Sequence, residues 1–185
     1  MIASDEELIE NAKHDPAAFG ALYERYVDRI YRYIYYRTSD VREAEDLTAR
    51  VFYRALGRIG EFNQRGAPFA AWLYRIAHNL VANWHRDRSR RKYIRLDDLI
   101  TVAEKTASPH HRAEQNEEAR VLLATIARLP ADRQELLILK FVDELSNADI
   151  GKIMGKSEGA VKSLYHRTLL ALRDELSKTA SEKTE

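Results

Sequence analysis

The chain has 185 residues, no cysteine and a formal net charge of +1, with 45% hydrophobic and 32% charged residues. Disulfides and thiolate zinc sites are therefore excluded, and no apolar run approaches the ~20 residues needed to span a bilayer. The acidic start MIASDEELIE lacks the positive flank and apolar core of a signal peptide, which points to a cytoplasmic protein. The near-neutral total hides a segregation: cations collect over 65–95 and 162–173, and an acidic stretch with Asp97, Asp98, Glu104, Glu114, Glu117 and Glu118 lies between them.

Helical periodicity runs through most of the chain, and no strand alternation appears. Ser4, with Glu7 three residues on, fits a capping box for a first helix. Asp15-Pro16 predicts a second start, with Asp as N-cap and Pro at the first helical position. Phe19, Leu22, Tyr23, Tyr26, Val27, Ile30, Tyr33 and Ile34 then recur at helical spacing, and the tyrosines read as core and rim packing. Thr38-Ser39-Asp40 breaks that helix and caps the next. There Ala44, Leu47, Val51, Ala55 and Ile59 share one arc, while Asp46, Arg50, Tyr53 and Arg54 lie largely off it. The polar side is either a solvated face or a partner-binding one.

The loop FNQRGAP feeds the most informative stretch, FAAWLYRIAHNLVANWHRDRSRRKYIR, from Phe69 to Arg95. Phe69, Trp72, Leu73, Ile76, Ala77, Leu80 and Trp84 form one helical face. Arg75, His78, Asn79, Ala82, His85 and Arg86 lie on the other side. The spacing predicts a helix buried along one stripe that offers cations, an amide and imidazoles to a nucleic-acid backbone and a few bases. Both tryptophans fall on the buried stripe and read as core anchors.

Residues 96–112 lack strong periodicity, and Ser108-Pro109 breaks any helix there, so the segment reads as a flexible linker. His110-His111 has no further ligand near it and does not share a helix face, so no metal site is expected. Periodicity resumes with Val121, Leu122, Ile126 and Leu129. Pro130 then opens ADRQELLILKFV, with Leu136, Leu137, Leu139 and Phe141 as its core. The stretch ELSNADIGKIMGKSEGAVKSLYHRTLLALRDEL reads as two helices about a tight turn. Ser146 caps the first, Gly155 ends it, and Ser157 caps the second. Ala148, Ile150, Ile153 and Met154, then Val161, Leu164, Thr168, Leu169 and Leu172, supply the packing. Lys162, Ser163, His166 and Arg167 project from the opposite side. This is the pattern of a DNA-binding helix-turn-helix, or of an ordinary helical hairpin with a basic surface.

Four segments in order carry a resemblance. DPAAFGALYERYVDRIYRYI, AEDLTARVFYRAL, FAAWLYRIAHNLVANWHRDRSRR and LPADRQELLILKFVDELSNADIGKIMGKSEGAVKSLYHRTLLALR resemble conserved regions 2.1, 2.2, 2.3–2.4 and 4 of bacterial sigma-70 family sigma factors, in the extracytoplasmic-function (ECF) group. The resemblance implies an all-α fold of two small domains: a region 2 helical bundle over 1–95 and a region 4 helix-turn-helix over 113–180, joined by a flexible acidic linker over 96–112. It implies an RNA polymerase sigma factor that binds core polymerase and recognises the −10 and −35 elements of promoter DNA. Such a protein is not an enzyme, carries no cofactor, and is often held inactive by an anti-sigma factor.

Matched position by position, Asp46, Leu47, Arg50, Val51 and Phe52 would contact core polymerase. Ala49-Arg50 stands where the family more usually has a glutamine and an acidic residue. Phe62, Asn63, Arg65, Arg75, His78, Asn79 and Arg86 would engage the −10 element. Phe62 would stack on a flipped base, and Asn79 would read its edge. Lys162, Ser163, His166 and Arg167 would enter the −35 major groove. The alternative, a stand-alone helix-turn-helix transcriptional regulator, leaves the aromatic-basic helix and its loop without a task.

Overall fold

The structure, a computed structural model, describes residues 3–63, 67–89 and 121–182. The linker expected over 96–112, with Asp97, Asp98 and His110-His111, lies outside these residues, as does Arg65.

The first helix, α1 (Asp5–His14), is set by the expected capping box: Ser4 Oγ accepts from the Glu7 amide at 3.2 Å, and the Ser4 amide donates to Glu7 Oε2 at 2.9 Å. Asp15 caps a single 3₁₀ turn, Pro16–Ala18, by accepting from the Ala17 amide at 2.9 Å. The long helix α2 (Phe19–Thr38) continues from that turn. It ends where Ser39 adopts the left-handed region at φ 50°. Asp40 then caps α3 (Val41–Leu56) through the Glu43 amide at 3.2 Å. A 3₁₀ turn, Ile59–Glu61, leads toward α4 (Phe69–Ser89).

The C-terminal half starts with a helical segment, α5, over 121–127. Next come α6 (Ala131–Leu137), a wide π turn (Ile138–Val142), α7 (Asn147–Met154) and α8 (Glu158–Glu182). Every described element is helical, in keeping with the expected all-α class, and no strand occurs among the described residues. Ser146 Oγ accepts from the Asp149 amide at 3.1 Å, and Ser157 Oγ from the Ala160 amide at 3.2 Å, so both helices of the helix-turn-helix carry their expected caps.

The turn between those helices needs two glycines. Gly155 sits at φ 66°, where a side chain would be strained. Gly151 is needed for a different reason: a Cβ there would lie 2.6 Å from the Lys156 carbonyl oxygen. The Lys156 amide donates back to the Gly151 carbonyl at 2.9 Å, so backbone runs directly over backbone at this point.

In the N-terminal half, α1 packs on α2 and on the Ile59–Glu61 turn, and α2 packs on α3 and α4. In the C-terminal half, α7 packs on α8. The two halves meet because α4 is sandwiched, with α3 against one side and α7 against another. One continuous apolar core therefore links Tyr33, Leu73 and Ala77 to Leu136, Leu139, Ile150 and Ile153. A smaller cluster of Leu129, Leu137 and Leu172 holds α6 to α8.

This contact changes several expectations. On α4 the anticipated stripe is present, with Leu73, Ala77 and Leu80 fully buried and Trp72, Ile76 and Trp84 half-buried. A second stripe, Ala71, Tyr74 and Val81, is buried as well, because it faces the C-terminal half. Phe141, expected in the core, is 59% exposed. The π turn adds a residue to its loop, with the Asp143 amide donating to the Ile138 carbonyl, and this carries Phe141 outward. Leu169 is also exposed and lines an apolar groove rather than the core, and Ala148 lies on the surface.

Candidate nucleic-acid interface

The outward side of α4 carries Arg75, Asn79 and Arg86, all exposed, as its spacing predicts. Arg86 donates to the Asn83 side chain one turn back. Asn63, in the loop before the helix, is exposed too. These groups form a cationic, amide-bearing strip along one helix, suited to phosphates and to a base edge.

Two residues assigned to the same strip are placed elsewhere. Phe62 is buried, with its ring centroid 5.4 Å from Phe69 and 4.9 Å from Trp72. Its ring closes the aromatic end of the bundle and offers no open face to a base. His78 points to the C-terminal half, where its Nδ1 lies 2.6 Å from Glu135 Oε1. Helical geometry explains the second correction. Arg75, His78 and Asn79 look like one polar face, but His78 is four residues from Tyr74 and shares that residue's buried side.

The second basic surface is on α8. Lys162, Ser163, His166 and Arg167 are all exposed, one turn apart, at the N-terminal end of the second helix of the helix-turn-helix. Lys162 pairs with Glu158 at 2.8 Å, and Arg167 Nε donates to the Ser163 carbonyl at 3.3 Å. Surface pairs of this kind are weak enough to exchange for phosphate contacts. Val161, Leu164 and Thr168 hold the opposite side of the helix in the core.

On α3, the five residues matched to polymerase contact divide by burial. Asp46 and Arg50 are exposed and face each other at 3.6 Å. Leu47, Val51 and Phe52 are core residues, at most 4% exposed, so they shape the helix from within instead of meeting a partner directly. Phe52 packs edge-on against Phe19 and Tyr23. The outward side of α3 is completed by Tyr53, which is 80% exposed.

Sequence reasoning missed a polar cluster between the halves. Glu135, only 2% exposed, accepts from the Tyr33 hydroxyl at 2.6 Å, pairs with the Arg37 guanidinium, and meets His78. An ionised carboxylate can only accept, so His78 presents its Nδ1 proton. Burial pushes the Glu135 carboxyl up. The His78 and Tyr33 hydrogen bonds and the Arg37 charge outweigh it, and the net direction is down. Asp143 accepts from the Tyr74 hydroxyl and lies 3.8 Å from Arg29 Nε. Here burial dominates and holds the carboxyl above its usual range. Asp143 Oδ2 has no hydrogen-bond partner among the described residues. In the sequence Glu135 ends the polar start of α6, directly before the apolar run from Leu136, and no local signal marks it as buried.

Sigma-70 region 2 matches residues 22–91, and sigma-70 region 4 matches residues 119–172. The chain is 31% identical to the ECF RNA polymerase sigma factor SigW of Bacillus subtilis over 172 residues, covering 89% of this chain and 91% of that protein. The chain belongs to the ECF group of sigma-70 family sigma factors.

Within that group it is 41% identical to the sigma factor BldN of Streptomyces coelicolor over 167 residues. That match covers 90% of this chain but 63% of BldN, so the chain spans about two-thirds of the length of that relative. The fold is shared with the sigma factor RpoE from Bartonella quintana, solved with the anti-sigma factor NepR, at a TM-score of 0.66 and 21% identity, covering 86% of this chain and 96% of that one. In this ECF sigma factor, α2 to α4 build region 2 and α5 to α8 build region 4. Sigma factors are transcription initiation factors, and both basic helices fall inside the matched regions. Among the described residues no helix is long and apolar enough to cross a membrane, and no cluster of three or more His, Asp or Glu could hold a metal.

Proposed function

We propose that this chain binds core RNA polymerase and directs it to promoters, with region 2 reading and melting the −10 element and region 4 reading the −35 element. The observation that carries the proposal is the pair of exposed basic helix faces, Arg75/Asn79/Arg86 on α4 and Lys162/Ser163/His166/Arg167 on α8, one in each matched region. A single-domain duplex reader would need only the second.

Asn79 can hydrogen-bond the exposed edge of a flipped base while Arg75 and Arg86 hold adjoining phosphates. Asn63, and Arg65 beyond the described residues, extend the same strip toward the loop. Unstacking a base costs a few kcal/mol, and preferential binding of the single strand supplies it without covalent chemistry. The protein acts as a non-enzymatic specificity subunit with no cofactor, in the cytoplasm where its polymerase works. Asp46, Arg50 and Tyr53 on the outward side of α3 form the polymerase-facing surface. An anti-sigma factor is the natural antagonist, as in the RpoE complex.

Reconstitution tests the reading. The purified chain added to core RNA polymerase should give specific transcription starts from fragmented genomic DNA of its source, preceded by a shared −10 and −35 pattern. Sequence-specific duplex binding by the chain alone, with no association with core, would instead establish the stand-alone regulator.

A further inference from the structure

The exposed side of α8 carries one carboxylate among its cations. Glu158 opens the helix, is exposed, and pairs with Lys162 at 2.8 Å. Glu158, Lys162 and His166 recur every fourth residue, and Gly159, Ser163 and Arg167 form the row beside them. Glu158 therefore heads one of the two rows that face a DNA groove. In a helix-turn-helix the first residues of the second helix are the ones that reach base edges. The neighbours of Glu158 leave it room to do so, since Gly159 and Ala160 are exposed and carry no bulk. The Ser157 cap on the Ala160 amide, at 3.2 Å, fixes the turn that presents it.

A carboxylate at this position constrains what the helix can read. It is repelled by phosphates, and it can only accept hydrogen bonds. In the free chain Lys162 supplies its donor. Once Lys162 turns to a guanine edge, Glu158 needs a new donor, because a carboxylate left unpaired in the groove is costlier than an exposed pair is stabilising. The major groove has two donors to give, the amino groups of cytosine and adenine. Adenine sets its N7 acceptor beside the amino group, which opposes a carboxylate. Cytosine sets a C5–H bond there. Guanine and thymine present acceptors and reject the group. Between Ser157 and Thr168 the sequence has no asparagine or glutamine, the side chains that fit adenine, and no second carboxylate.

We propose that Glu158 makes the −35 element of this sigma factor specific for cytosine at one position, with Lys162 taking a guanine one step away. The inference rests on the −35 reading of region 4 given above. The two side chains lie one helical turn apart, the spacing at which helix residues reach successive bases. On binding they exchange one partner for another: the carboxylate passes from the ammonium to the cytosine amino group, and the ammonium passes to guanine O6 and N7. The carboxylate also lowers affinity for DNA in general, through repulsion of the backbone, so the site gains discrimination on both counts. A carboxylate in the first turn stabilises a helix N-terminus as well. The test therefore reads base preference, which that structural role does not move.

The experiment uses holoenzyme formed from the full-length chain and core RNA polymerase, selected on promoter fragments with a randomised −35 element and then sequenced. The parent should enrich cytosine at one −35 position by roughly tenfold, the discrimination of a good base contact. Glu158→Ala should level that position and leave the others in place. Glu158→Gln should turn its preference to adenine, because a carboxamide pairs with adenine N6 and N7. The side chain is exposed, so neither substitution disturbs the core. The same base preference in all three proteins would overturn the proposal and leave Glu158 a helix-end residue. So would a uniform gain in binding by Glu158→Ala on every sequence with a steeper salt dependence, the mark of a carboxylate that only repels phosphate. The two readings fail separately. A parent that enriches a −35 element with no Glu158-dependent cytosine sinks the base assignment and leaves the promoter function standing. A parent that binds core and enriches no −35 element sinks the −35 reading, and the base assignment with it.

Discussion

His78 and Glu135 stand 57 positions apart in the chain and 2.6 Å apart in the fold. A residue of α4 in region 2 is thereby tied to α6 in region 4. The cluster that includes them makes the acid side of the stability curve informative.

Glu135 has its carboxyl lowered in the folded protein, so its contribution is fully present above the ordinary value of 4.5 and is lost as pH falls through the folded value. Asp143 is raised, so its contribution has the opposite sign: it is largest below the ordinary value of 3.8 and fades as pH rises through the folded one. Urea unfolding across the acid range should therefore show Glu135→Gln flattening the loss of stability toward low pH. Asp143→Asn should steepen it. Identical slopes in all three proteins would exclude both roles.

Gly151→Ala should damage the helix-turn-helix selectively. The added Cβ would meet the Lys156 carbonyl at 2.6 Å, a backbone atom that cannot swing aside. Overpacking of this kind costs about 1–3 kcal/mol. Gly155→Ala, at φ 66°, is a backbone strain of about 1 kcal/mol instead. Thermal unfolding followed by circular dichroism should rank Gly151→Ala as the more damaging.

Asn79→Ala should impair opening of the −10 region while leaving association with core polymerase unchanged, because Asn79 is exposed on α4, whereas Asp46, Arg50 and Tyr53 are on α3. Permanganate reactivity of promoter thymines, set beside polymerase co-purification, separates the two. Equal loss of both would count against a base-reading role.

Arg167→Ala should weaken dependence on the −35 element. A lost base contact costs about 1–3 kcal/mol and relaxes specificity at one position, whereas a lost phosphate contact weakens all sequences alike and lowers the salt slope. Binding of promoter variants by the holoenzyme at two salt concentrations distinguishes these outcomes.

Local signals determined most of the secondary structure. The Ser4–Glu7 box, the Asp40, Ser146 and Ser157 caps and Gly155 depend on residues within a few positions of one another, and all act where the sequence places them. The family was equally legible, because its four segments are contiguous stretches in a set order. The exposed parts of the site, Arg75, Asn79 and Arg86 with Lys162, Ser163, His166 and Arg167, followed from helical periodicity alone.

Only the tertiary structure decided which polar groups turn inward. Periodicity assigns a residue to a face but does not say how many faces a helix buries, and α4 buries two because region 4 packs on it. That contact takes His78 from the reading strip, and aromatic packing encloses Phe62. The same limit applies to Glu135, whose hydrogen-bond partners His78 on α4 and Tyr33 on α2 lie 57 and 102 residues away. In sequence it is the last of four polar residues, Asp132 to Glu135, ahead of an apolar run. In the fold, with Tyr33, Arg37 and His78 around it, it joins the halves that carry the two ends of a promoter reader, a relationship set by through-space electrostatics that no local pattern encodes.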